Sequence, residues 1–393
     1  MSHDELDRPS SRPSSIHDDS ESTAPSVNPS HISHIFTDAT SADNDDDDSA
    51  YGGELIARST CSITSAEYLF EKRNGRTYHT FGGDRNAYVL PNDELEKDRL
   101  DMQFWAIHEA FRGHYFFAPI GPSPQAILDV GTGTGTWAID VGEMFPSASV
   151  TGTDLSPIQP SWVPPNVSFE LHDCTVRPWG FSPKFDFIHT QLINGFAVRD
   201  AGWEEFYREC YSNLRPGGWV ESQEFDLKFR SDDGSIPEPS AVQKWLLAWN
   251  EGAGGGFRTN GAKLAAAMAK AGFVDVAVKK FKLPVGVWDK SLLNSGMLSL
   301  TAMTEHIEGL SNRIFMENLG MSQEEMKAYT DPVVREFRTK SVHGYWDMCV
   351  SGAFGREVFA NLCRYVVYGR KPSTSAGPGM ESVESSEEIV EPP

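Results

Sequence analysis

What this chain lacks excludes several classes of protein. Its five cysteines, Cys61, Cys174, Cys210, Cys349 and Cys363, are odd in number and form no C-x-x-C pair. Such scatter suits reduced thiols in a cell interior and argues against a disulfide framework or a zinc site. No His, Asp or Glu cluster has ligand spacing, so no metal is expected. No apolar run approaches the roughly 18 residues needed to span a bilayer. The acidic, polar N-terminus does not read as a secretory signal. The expectation is a soluble, cytoplasmic protein, with the nucleus as the alternative. Lys and Arg number 34 against 56 Asp and Glu, and they gather on no basic face, which argues against direct nucleic-acid contact.

The net charge of −22 is concentrated at the ends. Residues 1–53 hold twelve Asp/Glu, including the run Asp45 to Asp48, against two Arg. Residues 372–393 hold five Glu and no Lys or Arg. Segments of this composition cannot bury enough apolar surface to offset the entropy of ordering. Residues 1–53 and 373–393 therefore read as disordered acidic tails, and 54–372 as one ordered domain with ample core.

Within that domain one stretch organises the rest. Ala126 to Val130 is a strand-forming apolar run that stops at Gly131, Gly133 and Gly135. Ala138, Ile139, Val141 and Met144 then recur at helical spacing. Strand, tight turn and helix form the first unit of a doubly wound sheet, and glycine lets a ligand approach the bare backbone. The spacing departs from the dinucleotide fingerprint G-x-G-x-x-G, since position 136 is threonine, and no Gly-Lys-Ser/Thr follows for a phosphate loop. It resembles instead the G-x-G-x-G of class I S-adenosylmethionine (SAM) methyltransferases, preceded by an acid at Asp129.

A second strand, Ala148 to Ser156, carries Asp154, whose carboxylate can accept both ribose hydroxyls of a nucleoside. A third, Val167 to Cys174, ends at Asp173 and Cys174, where methyltransferases place the adenine-binding acid. Phe185 to His189 reads as the fourth strand and Leu214 to Ser222, with its Pro-Gly-Gly turn, as the fifth. Five signals in this order select SAM as cofactor, held by Asp129, Gly131, Gly133, Gly135, Asp154, Asp173 and Cys174. The fold class is α/β, a Rossmann-like, mostly parallel seven-stranded sheet with helices on both faces.

Ahead of this core a helix is expected after Pro91, capped by Asn92, with Leu100, Phe104, Ile107 and Phe111 on one face. Tyr88 is a candidate lining residue of the cofactor cleft. Behind the core, Ala262 to Ala271 reads as a helix ended by Gly272, Phe273 to Lys279 as a sixth strand and Arg364 to Arg370 as the last. Residues 288–355 between them read as a helical insertion covering the substrate, with Met297, Leu298, Leu300, Met303 and Ile307 on one face.

From about Tyr68 to Pro372 the chain resembles the fungal LaeA-like (UMTA-type) methyltransferases. The likeness rests on Pro91 to Glu94, Arg99-Leu100-Asp101, Ala118 to Gly121, the glycine turn and Asp186 to His189. It continues through Pro284 to Trp288, Gly309-Leu310, His343-Gly344-Tyr345 and Tyr368 to Pro372. The segment after Asp173 departs from it, where relatives often carry another acid before Trp179. The resemblance implies methylation of a small-molecule intermediate of fungal secondary metabolism, or a nuclear regulator acting through velvet-type protein partners. Methyl transfer needs alignment, exclusion of water and, where the acceptor carries a proton, a base. His189, at the tip of the fourth strand, is the candidate base, with His343 and Tyr345 behind it.

Overall fold

The computed structural model describes residues 60–61, 70–81, 88–194, 198, 202–255, 260–352 and 369–373. The expected acidic tails, 1–53 and 373–393, lie outside these residues except for Ser373. In chain order the elements begin with β1 (Thr60–Cys61), β2 (Phe70–Arg73), β3 (Arg76–His79), α1 (Glu94–Ala110), β4 (Ala126–Val130) and α2 (Thr136–Met144). Next come β5 (Ser149–Asp154), β6 (Val167–His172), β7 (Phe185–Gln191), α3 (Trp203–Asn213), β8 (Leu214–Arg230), α4 (Ala241–Gly252), α5 (Gly261–Lys270) and β9 (Ala277–Pro284). A helical stretch follows: α6 (Leu293–Glu305), α7 (Ile307–Asn312), a π-helical turn at Arg313–Asn318 and α8 (Gln323–Arg338). The described chain closes with β10 (Tyr345–Gly352) and β11 (Gly369–Arg370).

The sheet runs β1-β6-β5-β4-β7-β8-β10-β9, with β11 pairing β8. The pairs β6-β5, β5-β4, β4-β7 and β7-β8 are parallel, while β10 is antiparallel to both β8 and β9. Parallel strands covered on both faces must be apolar almost throughout. Accordingly Ile127, Leu128, Phe187 and Ile188 are fully buried. In a doubly wound sheet the C-terminal ends of the parallel strands, and the loops beyond them, present the ligand site.

Three local expectations differ from what folds. The cap of α1 is Asp93, whose carboxylate accepts from the Glu96 N–H at 3.2 Å; Asn92 instead accepts a hydrogen bond from the Thr77 hydroxyl. The sixth strand lies at Ala277–Pro284 rather than 273–279, and Val274 makes only an isolated bridge, to Arg370. The strand between β8 and β9 is Tyr345–Gly352, inside the segment read as helical to 355. Its middle residues Met348, Cys349 and Val350 are buried, so no polar alternation marks it. Of the expected last strand, Gly369 and Arg370 pair with Val220 and Trp219; Arg364 to Tyr368 lie outside the described residues.

Candidate active site

The site begins at the end of β4. Asp129 is buried, and its two oxygens accept from the Thr132 hydroxyl at 2.6 Å and pair with His189 Nδ1 at 2.8 Å. The turn that follows needs glycine at two points. Gly131 has φ +72, and a Cβ there would lie 2.7 Å from Ile193. Gly135 has φ +85, and a Cβ would meet the Phe169 ring at 2.4 Å. Any other residue would both strain the backbone and overlap a neighbour.

Asp154, the last residue of β5, is tied to the same turn. One oxygen accepts from Gly133 N–H at 2.9 Å and the other from Ser156 N–H at 3.0 Å. The surrounding protein screens the carboxyl from bulk water and pushes it up to about 6, against the pull of those N–H groups. Such a group gains from further hydroxyl donors, which a ribose supplies.

Asp129, Gly131, Thr132, Gly133, Asp154 and His189 front one cavity of about 250 Å³. The sheet order lays out its wall: His172 on β6, Asp154 on β5, Asp129 on β4, His189 and Gln191 on β7, Glu224, Phe225 and Leu227 on β8, and Trp346 on β10. The adenosine end is polar. His172 there is buried, its two ring nitrogens have no hydrogen-bond partner, and burial pulls it down to about 4, so it stays a neutral imidazole. Bare glycine backbone, a carboxylate for a hydroxyl pair and an unpartnered imidazole together fit an adenosyl group. The far end is apolar, closed by Trp245, Leu246 and Trp249 of α4 and by Ala302 and Met303 of α6.

The family described as "Methyltransferase domain" matches residues 102–278. The "Methyltransferase pytC" of Aspergillus terreus is 35% identical over 75% of this chain and 91% of its own length. This chain belongs to the LaeA-like methyltransferase family. It is a SAM-dependent methyltransferase. Two further relatives are "Secondary metabolism regulator LAE1" of Cochliobolus heterostrophus and "Protein-methionine methyltransferase laeA" of Emericella nidulans. The first is 33% identical over 69% of this chain and 90% of its own length. The second is 32% identical over 72% and 76%.

Of the residues expected in this methyltransferase's site, Asp129, Gly131, Gly133, Asp154, Cys174, His189 and Tyr88 line the cavity. Gly135 is not a lining residue and serves instead as the left-handed cap of α2. Asp173 is not among the lining residues either. Its Oδ1 is engaged by the Thr175 N–H and hydroxyl at 2.9 and 2.6 Å, a local turn, and its neighbours His172 and Cys174 line the cavity in its place. His343 and Tyr345 are held elsewhere, on Asp233 at 2.6 Å and Asp232 at 2.7 Å. His189 is fully buried, its ring stacked 3.8 Å from that of Trp137 at an interplanar angle of 3°.

Three features of the site went unread in the sequence: Arg99, the α4 tryptophans and Glu224. Arg99 lines the cavity while paired with Glu96. Trp245 and Trp249 stand four apart, a spacing that puts both on one helix face, and that signal was available. Glu224 carries no such signal, since a lone acid beyond the fifth strand declares nothing until the fold shows what it faces. Among the described residues no helix is long and apolar enough to cross a membrane, and no group of three or more His, Cys, Asp or Glu could hold a metal ion.

Proposed function

We propose that this methyltransferase acts on a small, largely apolar molecule of fungal secondary metabolism. The observation that carries the reading is the continuity of the cavity, from the polar wall at Asp154 and the glycine turn to the apolar end on α4 and α6. When bound, SAM supplies a methyl group already activated by the sulfonium charge. The chain's own task is then alignment and exclusion of water. Gly131, Gly133, Asp154, His172 and Cys174 would hold the adenosyl part. In the tautomer that donates Nδ1–H to Asp129, the His189 Nε2 is an acceptor, and it has no partner of its own. This keeps His189 as a candidate to take a proton at the middle of the cavity. A cytoplasmic or nuclear location fits such a role.

A second reading, regulation of secondary metabolism through protein partners of the velvet type, is favoured by the similarity to LAE1. Its mark would be methylation of a protein, or none, with a folded cofactor site.

Calorimetry with SAM tests the cofactor site. Asp154→Ala should weaken binding by about 1.5–3 kcal/mol, the range for hydrogen bonds to a charged group. Affinity of the unaltered protein should fall as pH drops from 7 to 5. The Asp154 carboxyl, raised to about 6, takes up a proton over that interval and gives up acceptor capacity toward the ribose hydroxyls. The variant should lose that pH dependence. An unchanged dissociation constant in a folded Asp154→Ala protein refutes the assignment.

A further inference from the structure

The cavity lining holds a third carboxyl besides Asp129 and Asp154, and it is placed like a working group. Glu224 leaves β8 where that strand passes the end of β7, and its side chain is 1% exposed. Its two oxygens accept from the Ile193 and Asn194 N–H groups, each at 3.1 Å, which fixes the carboxyl in orientation. Each oxygen keeps a second lone pair, or one carries a proton. No arginine, lysine or histidine is paired with it among the described hydrogen bonds and ion pairs. The indole nitrogens of the α4 wall are committed elsewhere. Trp245 donates to the Ser311 hydroxyl at 2.9 Å and Trp249 to the Leu310 carbonyl at 2.7 Å. Their hydrocarbon edges and faces are left for the cavity, together with Trp346 and Phe225. Two further buried polar atoms in the same lining have no partner: Asn194 Oδ1 and Ser299 Oγ. Buried polar atoms are normally hydrogen-bonded, so a carboxyl and two orphans within an aromatic wall describe a ligand with matching polar groups.

We propose that Glu224 binds the hydroxyl of the methyl acceptor and receives its proton, and that the acceptor is a flat, mostly apolar phenol or enol held against Trp245, Trp249 and Trp346. The inference rests on the methyltransferase reading above and adds the acceptor class and the group that meets it. In the step, the acceptor oxygen forms a bond to the methyl carbon, and the pair of the breaking carbon–sulfur bond stays on sulfur. The pair of the O–H bond stays on oxygen, and the proton goes to the Glu224 carboxylate. Burial raises this carboxyl to about 8, which brings its basicity toward that of a phenolate; the transfer runs through the ionised form and therefore rises as pH climbs through about 8. Aromatic walls recognise a flat ring system by area and edge contacts, while the carboxyl supplies the one directional bond.

The test is calorimetry on the full chain saturated with S-adenosylhomocysteine, using 2-naphthol and its methyl ether as probes. Above pH 8, where Glu224 is ionised, the unaltered protein should bind 2-naphthol about tenfold more tightly than 2-methoxynaphthalene, since only the naphthol donates to the carboxylate. This comparison needs no substitution. Glu224→Gln should erase that preference while leaving the affinity for S-adenosylhomocysteine unchanged. It should also lower methyl transfer to 2-naphthol by about 100-fold. Trp249→Ala should weaken both naphthalenes alike. Equal binding of naphthol and ether by the unaltered protein, or a preference that survives Glu224→Gln, overturns the role of Glu224. Failure of both naphthalenes to bind while S-adenosylhomocysteine does overturns the acceptor class. Failure of S-adenosylhomocysteine itself overturns the cofactor reading on which the proposal stands.

Discussion

At the scale of single residues, the most consequential pair in the N-terminal part of the fold is Glu96 with Arg99. Both lie on α1, three apart, with side chains 0% and 3% exposed, and the guanidinium bridges the carboxylate at 2.8 Å. A third guanidinium nitrogen reaches Gln103 at 2.7 Å. Two desolvated charges are tolerable only together, because the loss of either strands the other without water. Arg99→Ala should therefore lower unfolding free energy by about 3–5 kcal/mol, read by denaturant titration. The paired replacement Glu96→Leu with Arg99→Met should recover most of that loss, since it removes both desolvation costs at similar volume. A double variant as unstable as the single one would show that the pair holds neighbouring structure and does more than neutralise itself. In the sequence these residues were only the start of an amphipathic helix. Periodicity reports which face is inward, and an inward-facing acid and base contradict it until their partnership is seen.

At the scale of elements, α8 shows how much local chemistry can be read and how much cannot. Ser322 accepts from the Glu325 N–H at 3.2 Å, and the Glu325 carboxylate accepts from the Ser322 N–H at 2.8 Å. This reciprocal cap satisfies two donors that an open helix end would waste. Ser322→Ala should cost about 1 kcal/mol in a denaturant melt, with no effect on SAM affinity. An effect on SAM affinity would mean that α8 bears on the cofactor end, which its position over α4 and α6 does not suggest. The hairpin β2–β3 also carried its signal openly: Asn74-Gly75 at the turn, both with positive φ, as a two-residue hairpin requires. The strand β10 carried none. Its residues are buried between two neighbours, so its pattern is a short apolar run indistinguishable from a helix segment.

At the scale of the whole molecule, charge and core are separable. Much of the −22 net charge belongs to residues 1–53 and 372–393, whose composition opposes burial. A chain trimmed to 54–372 should melt within a few degrees of the full chain and bind SAM equally well. A large loss of thermal stability would show that an end segment packs on the domain despite its composition. The cavity is likewise a property of the whole. Its wall draws on seven strands of the sheet, β4 to β10, and on α1, α2, α4, α6 and α7, with residues up to about 250 apart in sequence.

The sequence by itself determined the first half of the site. The glycine turn, Asp129 and Asp154 sit at strand ends that hydrophobic periodicity marks, and a turn between adjacent elements is local, so its geometry is written in consecutive residues. Fold class and cofactor followed from that. The acceptor end was decided only by the tertiary structure. Glu224, Ser299 and Trp346 come from β8, α6 and β10, and no spacing relates them to one another or to the α4 pair Trp245 and Trp249. They meet because antiparallel β10 inserts between β8 and β9 and the helices then close over the strand ends. Long-range packing of this kind is selected by shape and burial across the fold, which no local pattern encodes.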